Sequence, residues 1–101
     1  MLPLIGILLA AAAGLAIVVL VLLKWDKIID WFRGRQELKQ SDKDNIAFTL
    51  QEKLSNGHFK TIEGIFNKES NELLDGEVYE SEKIDQKLAE AHRNEPLVIY
   101  E

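Results

Sequence analysis

Apolar and polar positions divide the chain unevenly. Leu2 to Leu23 holds no charged side chain and consists of small or apolar residues, whereas charge is frequent from Lys24 onward. As one helix, about 22 residues would reach about 33 Å, enough to cross a hydrocarbon core of about 30 Å. A core helix in a small protein carries an apolar stripe and not an apolar surface all round. The run therefore predicts a single transmembrane helix over residues 1–23. The small residues Ala10 to Gly14 suit signal cleavage, but no Lys or Arg precedes the run and about nine apolar residues continue after these small ones, so retention is the expectation.

The flanks of the run predict its orientation. Lys24, Lys27, Arg33, Arg35 and Lys39 all follow it. Basic residues beside a span stay on the cytoplasmic side. This places the N-terminus outside a cell or inner membrane and the C-terminal body in the cytoplasm. Lys24, Trp25, Lys27, Trp31 and Arg33 are the expected membrane-interface anchors, with Trp25 in the headgroup layer. Ile28, Ile29 and Phe32 share one helical face, so residues 24–40 read as an amphipathic neck and linker. Within the span, Gly6, Ala10 and Gly14 recur every four residues. That spacing offers a packing face to a copy of itself or to a helix of another protein.

Residues 41–101 read as a small acidic α+β domain. "SNG" at Ser55 to Gly57 and "NKESN" at Asn67 to Asn71 are turn-like, because Asn and Gly tolerate positive φ. "HFKTIEGIF" lies between them and "ELLDGEVYE" follows, which together predict a β-hairpin. Gly64 and Gly76 mark a bulge or a close approach of strands. Ile46 to Leu54 fits a strand or a helix. Ser81 is a suitable N-cap for a helix with Ile84, Leu88 and Ala91 on its buried stripe and Pro96 beyond its end. "LVIY", Leu97 to Tyr100, predicts a buried final strand. The expected fold is α+β: a transmembrane helix, then a small sheet of hairpin plus C-terminal strand with one packed helix, in the order (β or α)-β-β-α-β.

Composition narrows the function. Of the 101 residues, 12 are Lys or Arg and 17 are Asp or Glu, a formal charge of −5, and the acidic excess falls in residues 41–101. An acidic body disfavours nucleic acid, whose phosphates require cations. There is no cysteine, hence no disulfide and no thiolate zinc site. His58 lies beside a turn and His92 at the edge of the helical stripe, positions that suit solvated or interfacial histidines. "SDKDN" begins like a calcium loop, but Ala47 replaces the required Gly and Lys53 the bidentate Glu. Glu77, Glu80, Glu82 and Asp85 are scattered by strand alternation and helix turns into a solvated face. "AFTLQE" at Ala47 to Glu52 resembles the start of a mature type IV pilin. There the motif opens the apolar segment, whereas here it follows one, so no family is assigned from it.

No catalytic, cofactor or metal site is expected, and the chain is not expected to be an enzyme. The predicted function is that of a non-catalytic single-pass membrane protein presenting a small cytoplasmic interaction domain, as an accessory subunit, tether or regulator. The alternatives are a minor structural subunit of a membrane complex and an immunity- or antitoxin-like binder. The expected partners are membrane lipid and another membrane-associated protein or a second copy, but not nucleic acid. An acidic body would favour a basic partner through electrostatic steering.

Overall fold

The computed structural model describes residues 4–100. The N-terminal apolar run is not one helix. It forms α1 (Leu4–Ala12), turns at Ala13 and Gly14, and re-enters the fold as strand β1 (Ile17–Leu23). The break follows the side chains. Leu and Ala dominate α1 and favour helix, whereas Ile17, Val18, Val19 and Val21 are β-branched and favour strand. Among the described residues, no helix is long and apolar enough to cross a membrane. This overturns the expected transmembrane helix. The single-pass topology, with the N-terminus outside and a cytoplasmic body, falls with it, because the flanking charges have no span to orient.

The remaining elements are α2 (Trp25–Arg33), α3 (Gln36–Gln40), β2 (Asn45–Lys53), β3 (Phe59–Asn67), β4 (Glu72–Ile84), α4 (Gln86–Ala91) and β5 (Leu97–Tyr100). The strands form one mixed sheet in the order β1-β4-β3-β2-β5. β1 runs parallel to β4, and the other neighbours are antiparallel. Gly57 at φ 88° serves the β2–β3 turn and Asn71 at φ 58° the β3–β4 turn. Asn67 fixes the second turn: its Oδ1 accepts from the Glu69 and Ser70 amides, and its Nδ2 donates to Asn45 Oδ1.

Side chains alternate across the sheet and build a core on each face. On one face, Leu8 and Ala12 of α1 pack against Ile46, Phe48, Leu50, Ile62, Phe66 and Val78. On the other, Ile28 of α2 and Leu88 of α4 pack with Leu23 and Tyr79. Gly64 and Gly76 face each other across β3 and β4, and the register shifts at Ile65/Phe66. A Cβ on Gly64 would lie 2.9 Å from both Leu73 Cδ1 and Phe48 Cε1, so close packing excludes a side chain there.

Several sequence expectations need correction in detail. The sheet has five strands, one of them supplied by the apolar run. Ile46 to Leu54 resolves as a strand along almost its whole length. The helix expected from Ser81 begins only at Gln86, because β4 continues to Ile84 while pairing with β1. Asp85 and not Ser81 is the cap. Its carboxylate accepts from the Leu88 amide at 3.1 Å, and of the predicted stripe only Leu88 is fully buried. β5 is an edge strand with Ile99 47% exposed, not a buried one.

Candidate functional site

The sheet has two edges of unlike character. β5 is a four-residue edge, and the part of β2 beyond it ends in the exposed Glu52 and Lys53. Such short or charged edges resist pairing with other chains. β1 is a seven-residue edge without a charge. Among the described residues nothing pairs with its outer side. Val19 is 75% exposed, Val21 65%, Ile17 49% and Leu22 40%. Ile17 pairs with Val78 of the α1 core, so Ile17, Val19 and Val21 project on the α1 side, beyond the helix. Val18 and Leu20 project on the opposite side and are half-buried in the layer beneath α2. β1 thus offers free backbone donors and acceptors flanked by apolar side chains on both faces.

The α2 side of the sheet carries a second cluster, of opposite character. Glu63 lies on β3, the middle strand, and is fully buried. Tyr79 donates its hydroxyl to Glu63 Oε1 at 2.5 Å. No donor meets Glu63 Oε2 among the described residues. Burial pushes the Glu63 carboxyl up to about 8, against the opposing pull of the Tyr79 hydrogen bond and the Arg35 charge. A neutral acid at this position avoids a buried uncompensated anion. Burial, followed by the bond to Glu63, raises Tyr79 far above the ordinary phenol range.

A relay of hydroxyls runs beside this pair. The Glu95 carbonyl can only accept, so His92 Nδ1 donates to it at 3.0 Å. Burial lowers His92 below the usual imidazole value, which keeps the ring neutral and leaves Nε2 as an acceptor. The Thr49 hydroxyl therefore donates to Nε2 at 2.7 Å, and the Tyr100 hydroxyl donates to Thr49 Oγ1 at 2.6 Å. A hydroxyl beside a neutral imidazole is the local form of an activated nucleophile. Here Thr49 is fully buried and its hydroxyl is occupied on both sides. Glu63 is sealed in the same way. Both groups tie β2, β3, β4 and β5 together beneath α2.

The residues expected as membrane anchors lie in and beside α2. Trp25 turns toward Tyr100, with ring centroids 5.9 Å apart. The Lys27 ammonium stands 5.8 Å from the Tyr79 ring. Trp31 meets Phe32 edge-on and is covered by the Arg35 guanidinium at 3.9 Å, while Arg35 Nε bonds Asp75 at 2.6 Å. Arg33 reaches Asp30 at the surface. Lys24 is exposed at the start of α2. Gly6 and Ala10 lie in α1 but Gly14 lies in the turn after it, so the three do not share one helix.

No protein-family model, curated protein or solved structure matches this chain.

The chain's own geometry therefore carries the functional argument. Among the described residues, no group of three or more His, Asp or Glu is placed to hold a metal. A cavity of about 370 Å³ lies between α2, α3 and the sheet. Its walls include Ile29, Phe32, Ala47 and Ile65, with Arg33 and Lys39 beside them. Neither Glu63 nor Thr49 opens into it. Sequence reasoning did not single out the β1 edge. The available signal was the switch at Gly14 from Leu and Ala to a β-branched run.

Proposed function

We propose that this chain is a non-catalytic interaction protein that binds another polypeptide by adding it to the open edge of β1. The observation that carries this reading is the uncharged seven-residue edge with Val19 and Val21 largely exposed. Main-chain groups on such an edge supply affinity for an incoming strand, and the flanking side chains select it. Exposed apolar edges are strongly disfavoured in proteins that act alone, so this one calls for a partner. The sealed state of Glu63 and Thr49 supports a binding role over a catalytic one, since no reactant can approach either group.

A photo-crosslinking amino acid at Ile17 of the full chain tests the reading in cells. The expected result is a discrete polypeptide adduct that disappears when Val21→Lys is added, with the circular dichroism spectrum unchanged. The same probe at Glu52, on β2 away from this edge, should give no adduct. Absence of an Ile17 adduct, or one indifferent to Val21→Lys, would overturn the proposal.

A further inference from the structure

We infer that the polypeptide received by β1 is a second copy of this chain, paired antiparallel to β1 about a two-fold axis at Leu20. This rests on the proposed edge-pairing role and names its partner. Three observations converge on it. The first is chemical symmetry. An incoming strand must be apolar toward both faces of the sheet, because β1 shows Ile17, Val19 and Val21 on one side and Val18 and Leu20 on the other. β1 itself meets that requirement.

The second is register. With Leu20 on the axis, Val19 lies opposite Val21 of the copy, and Val21 opposite its Val19. The two most exposed apolar side chains of the strand therefore cover each other twice. Val18 falls opposite Leu22 and Leu20 opposite Leu20 of the copy, so these central cross-strand pairs are apolar as well. Slipping the copy one way brings Lys24 and Asp26 toward the strand, and slipping it the other way sets β1 against Gly14 to Ala16 outside the strand, so the Leu20 register pairs the full length of β1.

The third is charge and closure. Each chain carries −5, so two copies repel across most of their surface. The segment from Leu4 to Leu23 contains no charge, which makes it the part of the molecule that can meet its own image without like-charge contact. Antiparallel pairing of identical strands is isologous and closed. It joins two five-stranded sheets into one of ten strands and leaves outside the short β5 edges, the charged end of β2 beside them and the part of β4 before Val78.

Light scattering on the purified full chain, at low and high salt, reads the assembly directly. The expected mass is twice 11.5 kDa. The dimer should strengthen as salt rises, because screening removes the repulsion between two acidic chains. Val19→Lys with Val21→Lys should halve the mass while circular dichroism stays unchanged. Should the lysines disturb folding, Val19→Asp alone, judged by the same spectrum, serves instead. The chain has no cysteine, so Leu20→Cys provides an independent readout. It should oxidise to a disulfide-linked dimer much faster than Glu52→Cys. A wild-type monomer at both salt levels, or equal oxidation of the two variants, overturns the self-pairing inference. If the Ile17 crosslink then joins a different protein, edge pairing stands with another partner. If there is no crosslink either, both readings fail.

Discussion

Glu63 holds a carboxyl group out of water in the middle of the sheet, and the pH dependence of stability should follow from it. Its folded-state value of about 8 lies above the ordinary 4.5, so the folded protein holds a proton that the unfolded chain releases. The associated stability is fully present below about pH 4.5 and is lost as pH rises toward about 8. Urea midpoints should therefore fall between pH 6 and pH 9. Glu63→Gln keeps the shape of the neutral acid and the acceptor for Tyr79. It should flatten this fall and stabilise the protein at pH 9 by on the order of a few kcal/mol. An identical slope in the variant would show that the carboxyl is solvated. His92 acts in the opposite sense. Its lowered value removes stability as pH drops below the usual 6.5, so the slope above pH 7 belongs to the carboxyl and not to the imidazole.

At the scale of elements, Asp85 joins two helices that would otherwise begin uncapped. One carboxylate oxygen accepts from the Leu88 amide of α4, and the other accepts from the Trp25 amide at the start of α2 at 2.9 Å. Its own amide donates to the Leu23 carbonyl at 3.1 Å. Asp85→Ala should cost about 1–2 kcal/mol in denaturant unfolding, and Asp85→Asn part of that, since its single amide oxygen can accept from only one of the two backbone amides. Hydrogen exchange at Trp25 and Leu88 should quicken together in the alanine variant; acceleration at only one would disprove the shared cap. The cap also shows where sequence pattern stops being informative. The strands β3, β4 and β5 were legible because alternating apolar residues and Asn- or Gly-bearing turns are local signals. The boundary at Asp85 was not, because β4 is prolonged by pairing with a strand far away in sequence. β1 was hidden by its own hydrophobicity. A length criterion for membrane helices registers apolarity and overlooks β-branching at Ile17, Val18, Val19 and Val21. The Glu63–Tyr79 pair was equally invisible, because its partners meet only once the hairpin register is set.

Considered whole, the molecule depends on Leu4 to Leu23 for both a helix over one core and a strand of the sheet. Leu8 is fully buried among side chains of the strands, so Leu8→Ala should lower the unfolding free energy by about 2–5 kcal/mol. A chain beginning at Lys24 uncovers Phe48, Phe66 and Val78 and opens the long edge of β4. It should show no cooperative melt and should bind a hydrophobic dye; a sharp transition like that of the full chain would make α1 and β1 dispensable. The parallel pairing of β1 with β4 also has a consequence for biosynthesis. Ile17 is matched with Val78, so β1 leaves the ribosome about 60 residues before its partner exists. At translation rates of about 5–20 residues per second, the most aggregation-prone segment of the nascent chain waits unpaired for about 3–12 seconds. That interval is long compared with the microseconds in which hairpins form, and it makes the N-terminal segment the natural point of engagement for holding chaperones.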